Sequence, residues 1–179
     1  MPIIYMSLFF GLSEFILMLF KRSGRKESKM REDKGSLILM WIVITAGFTV
    51  GFFLSGPVNN LILVVGIFLI ITGLFLRWIA ILQLGKSFTV DVAITDAASL
   101  KTNGIYSRVR HPSYSGLLCV ITGFALAMGS LFSFVIFVIP VFSVVIYRIA
   151  VEEKVLINEF GDSYMEYIKR TKRIIPGIY

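Results

Sequence analysis

The amino-acid sequence predicts an all-α fold, a polytopic membrane helical bundle of about five transmembrane helices with a cytoplasmic C-terminal helical segment. The first observation behind this prediction is composition. Of the 179 residues, 56% are hydrophobic and 16% are charged, and the mean hydropathy is +0.83, whereas soluble domains are nearer half apolar and a quarter charged. The second is that the apolar residues form five blocks, each close to the roughly 20 residues that a spanning helix needs. The length suits one domain over residues 1–179.

The blocks follow one another with short polar connections. In chain order they are Ile3–Phe20, Leu37–Ser55, Asn60–Leu82, Ser113–Gly129 and Leu131–Arg148. The first block has neither a basic region before it nor a small-residue cleavage site after it, so we predict a retained helix and not a signal peptide. The tight connection before Leu131 makes the last two helices antiparallel neighbours. With a single cysteine and a single histidine in the chain, we expect no intrachain disulfide and no metal site.

The basic residues predict the topology. The loop Lys21–Lys34 carries seven Lys and Arg residues, whereas "SGPVNN" (55–60) carries none. Because Lys and Arg concentrate in cytoplasmic loops, we predict an N-terminus outside and a cytoplasmic C-terminus. The net charge of +7 mostly reflects this rule, so we expect contact with membrane lipids and no nucleic-acid partner. The sequence gives no indication of oligomeric state.

Two charged residues lie inside predicted spans. Glu14 in the first and Arg77 in the third are each about six residues, or roughly 9 Å, from the cytoplasmic end of their helix. Charges inside a membrane normally pair or line a cavity. We therefore predict a structural ion pair between them that faces the bundle interior.

The phrase "RVRHPSYSG" (108–116) stands directly before and within the fourth block. We interpret Arg108 and Arg110 as collar residues that obey the positive-inside rule. Pro112 suits the first position of the helix, where its missing N–H costs nothing. The positive end of that helix then faces the cytoplasm beside His111, in a position suited to an anion. A single histidine at a span end is also compatible with an ordinary interfacial residue.

Arg148 and Glu152 have i, i+4 spacing at the end of the fifth block, so they share a helix face. One interpretation is an i, i+4 salt bridge, with an arginine that also follows the positive-inside rule. The other is a ligand site, where Arg148 holds an anionic group with its planar fork and Glu152 holds a cationic or hydroxyl-bearing ligand. Spacing alone leaves both open.

The C-terminal segment divides at Gly161, a suitable helix stop. Ser163 and Glu166 have the spacing of a capping box for a second short helix. In that helix Tyr164 and Tyr167 share a face with basic residues around them. It would either anchor in the membrane interface or cover a cytoplasmic pocket.

The stretches "NGIYSRVRHPSYSG" and "EEKVLINEFGDSYMEYIKR", with the helical hairpin between them, resemble the isoprenylcysteine carboxyl methyltransferase family. The resemblance covers roughly Gly73 to Pro176 and includes "GLFLRWIAILQLGKSFT". It implies a catalytic core over residues 60–179, with residues 1–55 as two accessory spans. It also implies S-adenosylmethionine as cofactor, in a pocket at the cytoplasmic face, and a lipophilic acceptor that comes from the bilayer.

Carried over by position, the resemblance assigns roles to individual residues. The implied cofactor-binding residues are Leu100, Lys101, Tyr106, His111, Pro112, Ser113, Tyr114 and Glu152. Arg148 matches the arginine that meets the substrate carboxylate, so it is the candidate catalytic and substrate-binding residue. Glu153, Tyr164 and Tyr167 are further candidates for the pocket. A carboxylate is already a nucleophile at neutral pH, so we expect direct transfer that rests on alignment, without a general base.

Other functions remain open at this level. Phospholipid N-methyltransferases and small-molecule N- or S-methyltransferases have a similar architecture, and sterol reductases that use NADPH have a similar C-terminal layout. A five-span membrane scaffold is the non-enzymatic alternative. An amine acceptor would favour an acidic residue near the methyl group, whereas a carboxylate acceptor favours Arg148.

Overall fold

The computed structural model describes residues 2–21, 28–31, 35–85, 93–95 and 100–179. The helices are α1 Pro2–Lys21, α2 Ser36–Phe53, α3 Asn60–Leu84, α4 Pro112–Ala127, α5 Leu131–Phe160 and α6 Asp162–Arg170. A 3₁₀ helix, Gly104–Ser107, precedes α4, and two short strands are β1 Ser28–Arg31 and β2 Ala93–Thr95. The predicted blocks therefore correspond to α1–α5 with shifts of one or two residues at most ends, except that α5 continues 12 residues beyond the predicted end at Arg148.

Three helices, α2, α3 and α5, are long and apolar enough to cross a membrane, while the apolar stretches Tyr5–Leu17 of α1 and Pro112–Ala127 of α4 are shorter. Large apolar side chains on the outside of the bundle are exposed, among them Phe9, Phe68, Phe75 and Phe132. Such a belt is stable against lipid tails and would be unfavourable in water. The fold thus has the surface of a membrane protein.

The connections lie at two opposite ends of the bundle. At one end the loop after α2 meets the α4–α5 turn, where the Gly56 N–H donates to the Met128 carbonyl at 2.9 Å. At the other end β1 pairs antiparallel with β2, with Ser28 opposite Thr95 and Arg31 opposite Ala93. Apart from this short two-stranded sheet, the described residues form a helical bundle, as the all-α prediction expected. Strands of three and four residues carry too little periodicity to be read from sequence.

α4 is the central helix, and it packs most extensively against α3. Two glycine pairs bring these helices together: a Cβ on Gly73 would lie 2.6 Å from the Gly116 carbonyl oxygen, and one on Gly66 would lie 2.7 Å from that of Gly123. Small residues allow such close approach of backbones in membranes. A neighbouring face of α4 carries Phe124, which is fully buried and contacts the rings of Phe10 and Phe48 from α1 and α2.

α2 packs along α5 in a similar way. Gly47 lies against the ring of Phe137, where an added Cβ would come within 2.7 Å. Near the α4–α5 turn, the buried Ser133 hydroxyl donates to the Gly51 carbonyl at 2.8 Å. Residues of α1 to α5 thus share one apolar core, to which Phe10, Met40 and Ile44 contribute from the first two helices.

α5 is longer than a bilayer is thick. Its 30 residues span about 45 Å, against a hydrocarbon core of about 30 Å, so its last turns project beyond the apolar region. It ends at Gly161, whose φ of +54° confirms the predicted helix stop. The predicted capping box is wrong: α6 begins at Asp162 without a side-chain cap, because the Gly161 carbonyl already accepts from the first turn, including the Tyr164 N–H at 3.1 Å.

Candidate active site

The predicted pair of intramembrane charges is confirmed, and it leads to the start of α4. Arg77 donates from Nε and Nη2 to the two carboxylate oxygens of Glu14 at 2.5 and 2.7 Å. Both side chains are buried. From its remaining side, Arg77 Nη1 donates to the Ser113 hydroxyl at 2.9 Å and to the Ser113 carbonyl at 3.2 Å. Through Arg77, α1 and α3 therefore hold the first turn of α4.

The backbone before α4 pairs with the segment after α6. The Arg110 N–H donates to the Lys172 carbonyl at 2.7 Å, and the His111 N–H to the Arg173 carbonyl at 2.9 Å. One turn into α4, the Ser115 hydroxyl donates to the Ile174 carbonyl at 2.7 Å. Pro112 occupies the predicted first position of α4. The backbone amides of Arg110 and His111 therefore already have protein partners.

Glu153 is the centre of a buried ionic cluster. Its Oε1 accepts from Arg110 Nε at 2.9 Å, and its Oε2 accepts from Arg173 Nε and Nη2 at 2.9 and 2.7 Å. The hydrogen bond to Glu153 raises the pKa of the Arg173 guanidinium above its ordinary value. Arg110 is 7% exposed, so its interpretation as a collar residue is wrong. Arg108, by contrast, is exposed.

His111 lies between the two glutamates. Its Nε2 is 3.4 Å from Glu153 Oε1, and its Nδ1 is 3.8 Å from Glu152 Oε2. The ring is buried and tilts against Tyr114 at 5.9 Å between centroids. The two carboxylates differ in surroundings, because Glu152 is 31% exposed while Glu153 is 6% exposed. Glu152 is therefore the one that a ligand can reach.

Arg148 is fixed by hydroxyl groups from two other helices. Its Nε donates to the Tyr114 hydroxyl at 2.8 Å, and its Nη1 donates to Ser36 Oγ at 2.8 Å. Tyr114 also lies close to Glu152, so it is near both residues that share a face of α5. The arginine and the accessible carboxylate thus lie side by side at the end of the apolar part of α5.

A tyrosine cluster closes the side formed by the 3₁₀ helix and α6. The Tyr106 hydroxyl donates to the Ala80 carbonyl at 3.1 Å, and the Tyr167 hydroxyl donates to the Tyr106 carbonyl at 2.6 Å. Burial raises the pKa of Tyr106 and Tyr164, and it raises the pKa of Tyr167 to about 12. All three therefore remain protonated donors at neutral pH. The Tyr164 hydroxyl is buried, and within the described part of the chain it has no hydrogen-bond partner.

The structure brings most of the predicted residues to one end of the bundle. Tyr106, His111, Tyr114, Arg148, Glu152, Glu153, Tyr164 and Tyr167 all contact at least one other member through the interactions above or through ring packing. Leu100 and Lys101 are half-buried and lie shortly before the 3₁₀ helix. The sequence reasoning missed Ser36 and Arg173, and it gave Arg110 another role.

Comparison with known proteins agrees with this arrangement. Residues 61–163 match the profile of the family described as phospholipid methyltransferase. The chain is 38% identical to protein-S-isoprenylcysteine O-methyltransferase of Schizosaccharomyces pombe over 108 residues, which cover 59% of this chain and 46% of that protein. It is 35% identical to form B of the Arabidopsis thaliana enzyme, covering 63% of this chain and 58% of that protein.

A solved structure is also similar. The eukaryotic intramembrane Ras methyltransferase ICMT (isoprenylcysteine carboxyl methyltransferase) superposes with a TM-score of 0.60 at 25% identity, over 80% of this chain and 50% of that one. The chain thus spans about half the length of the curated relatives that it matches. The likeness to ICMT agrees with the apolar helices and identifies a multi-pass integral membrane protein.

Proposed function

Because the chain belongs to the phospholipid methyltransferase family, we propose that it transfers a methyl group from S-adenosylmethionine to the carboxylate of an isoprenylcysteine-like acceptor. The observation that supports this most is the position of Arg148, buried at the membrane boundary of α5 beside the accessible Glu152. A guanidinium recognises a carboxylate through its planar donors. The relatives named above carry isoprenylcysteine O-methyltransferase in their names.

The residues around Glu152 fit the proposed cofactor. S-adenosylmethionine carries an ammonium, ribose hydroxyls, an adenine and a sulfonium, and when bound it supplies the electrophilic methyl group. Glu152 provides an acceptor for the ammonium or the ribose, and the ring of Tyr114 provides an aromatic face for a cation. The Tyr164 hydroxyl is a buried polar group that lacks a partner in the described part of the chain. His111 and the buried Glu153 line the inner side of the proposed pocket, next to Glu152.

The chain's contribution to the reaction is alignment. Arg148 orients the acceptor carboxylate, and the Tyr114 hydroxyl accepts a hydrogen bond from its guanidinium and so restrains its position. Since the carboxylate is already ionised, no residue has to remove a proton. The buried rings of Tyr106, Tyr164 and Tyr167 exclude water from that side, which strengthens the electrostatic interactions within the site.

The same proposal includes the topology. Five crossings, with the N-terminus outside and the site at the cytoplasmic face, place the basic loops on one side. Two contacts support this. The pairing of β1 with β2 joins the α1–α2 and α3–α4 connections at one end of the bundle, and the 54–59 and 128–130 connections meet at the other end. A lipophilic acceptor would then reach Arg148 from the bilayer while the cofactor comes from the cytoplasm.

The experiment follows methyl transfer from radiolabelled S-adenosylmethionine to a farnesylcysteine analogue, with the product identified as a base-labile ester. We expect Arg148→Ala to lose turnover and keep cofactor binding, and Glu152→Ala to lose cofactor affinity, both measured by titration calorimetry. Equal cofactor binding by Glu152→Ala and wild type would contradict the assignment of Glu152.

A second acceptor class is favoured by the name of the matched family. A phospholipid amine would be methylated without forming an ester, so phosphatidylethanolamine vesicles serve as the competing acceptor in the same assay. Thermal stabilisation in detergent by S-adenosylhomocysteine, compared with NADPH, separates both methyltransferase proposals from a reductase. No stabilisation by either compound would favour a membrane scaffold.

A further inference from the structure

The Arg148 side chain is held from a helix that lies outside residues 61–163, the stretch that matches the family profile. Its Nη1 donates to Ser36 Oγ at 2.8 Å across a sequence separation of 112 residues. Ser36 is the first residue of α2 and precedes residues 61–163, which match the family profile. Arg148 and Ser36 are 2% and 3% exposed, so water does not compete for this hydrogen bond.

The geometry fixes the plane of the guanidinium. Tyr114 of α4 binds Nε and Ser36 of α2 binds Nη1, so two helices constrain one rigid, planar group. In alignment-based catalysis, a misplacement of about 1 Å costs on the order of a hundredfold in rate.

Other residues along α2 provide much of its packing. Gly47 and Gly51 set the contact with Phe137 and the α4–α5 turn, and the buried Met40 and Ile44 belong to the shared core. The Ser36 hydroxyl is also not the N-cap of the helix, because Gly35 occupies that position. The contact with Arg148 is therefore an interaction of the buried Ser36 hydroxyl that alanine would remove.

We propose that Ser36 is a positioning residue that sets the orientation of Arg148 toward the acceptor carboxylate, so that α2 is part of the acceptor site. This rests on the proposed function of Arg148. It assigns to the second helix a role in the reaction, beyond that of an accessory span.

The test compares Ser36→Ala and Ser36→Thr with wild type in the farnesylcysteine assay. Ser143→Ala is the matched control: it makes the same chemical change on α5, where the exposed Ser143 hydroxyl bonds only the Ile139 carbonyl of its own helix turn among the described contacts. The measurements are kcat, KM for the acceptor, KM for the cofactor and the melting temperature in detergent.

We expect Ser36→Ala to lower kcat/KM for the acceptor about tenfold, the effect of one hydrogen bond to a charged group. KM for the cofactor should stay within error, while the melting temperature should fall by a few degrees because a buried hydrogen bond is lost. Ser36→Thr should restore most of the activity because it keeps the hydroxyl. Wild-type acceptor kinetics in Ser36→Ala, or equal losses in the alanine and threonine variants, would overturn the proposal. If wild-type protein forms no ester, the proposed function itself fails and this inference with it.

Discussion

Replacing Glu14 by glutamine should strongly destabilise the bundle. Arg77 then keeps its two contacts with Ser113 but loses the carboxylate that binds Nε and Nη2 at 2.5 and 2.7 Å. Arg77 and Glu14 side chains are 7% and 4% exposed, so the guanidinium is left as an uncompensated buried charge. Breaking such a pair from one side costs about 3–5 kcal/mol. At about 2–4 °C per kcal/mol for a chain of this size, the melting temperature should fall by roughly 6–20 °C.

The assay is a thermodynamic double-mutant cycle in detergent, with unfolding followed by circular dichroism during titration with a denaturing detergent. Glu14→Gln and Arg77→Gln should each be destabilising, and the double variant should be less destabilised than the sum of the two, because it leaves no unpaired charge. Additive losses, or a Glu14→Gln variant as stable as wild type, would refute the reasoning. A loss of S-adenosylhomocysteine binding in either single variant would additionally report movement of the first turn of α4.

Three further predictions concern packing, the ionic cluster and the tyrosines. Gly73→Ala should cost about 1–3 kcal/mol because its Cβ meets a carbonyl oxygen at 2.6 Å, whereas Gly11→Ala, with open space around it, should not lower the melting temperature. Glu153→Gln should cost on the order of 3 kcal/mol and Glu152→Gln less than about 0.5 kcal/mol, by the same unfolding titration; the reverse order would contradict the assigned roles. Tyr167→Phe should lose about 1 kcal/mol. The pKa of Tyr167 in the fold, about 12, lies above its ordinary 10.0. The stability that the Tyr167 hydroxyl contributes should therefore be present below pH 10 and be lost between pH 10 and about 12. In Tyr167→Phe, the unfolding free energy should lack this pH-dependent loss.

The helices could be predicted because each depends on a local pattern. Apolar runs of spanning length gave α1–α5, and a proline and a glycine at the right positions gave the start of α4 and the end of α5. The pairing of Glu14 with Arg77 was also predictable. An unpaired charge inside a membrane is costly, so two opposite charges at the same depth on two helices are expected to form an ion pair.

The roles within the charged cluster could not be predicted in the same way. Glu152 and Glu153 are adjacent in the sequence, and their difference arises from the surrounding elements that place Arg110 and Arg173 against only one of them. An arginine that clamps a buried carboxylate has the same sequence signature as one that merely sits at a cytoplasmic span end. Ser36 has no signature at all, because its partner lies 112 residues away.

The glycine pairs between α3 and α4 also determine how a long hydrocarbon chain could approach the site. At the levels of Gly66 and Gly73 the two backbones are so close that a single added methyl group would collide with a carbonyl oxygen. An alkyl or prenyl tail is wider than a methyl group, so this side of α4 is sealed against lateral diffusion of lipid over about two helical turns. The tail of the proposed acceptor would therefore have to reach Arg148 along another side of the central helix.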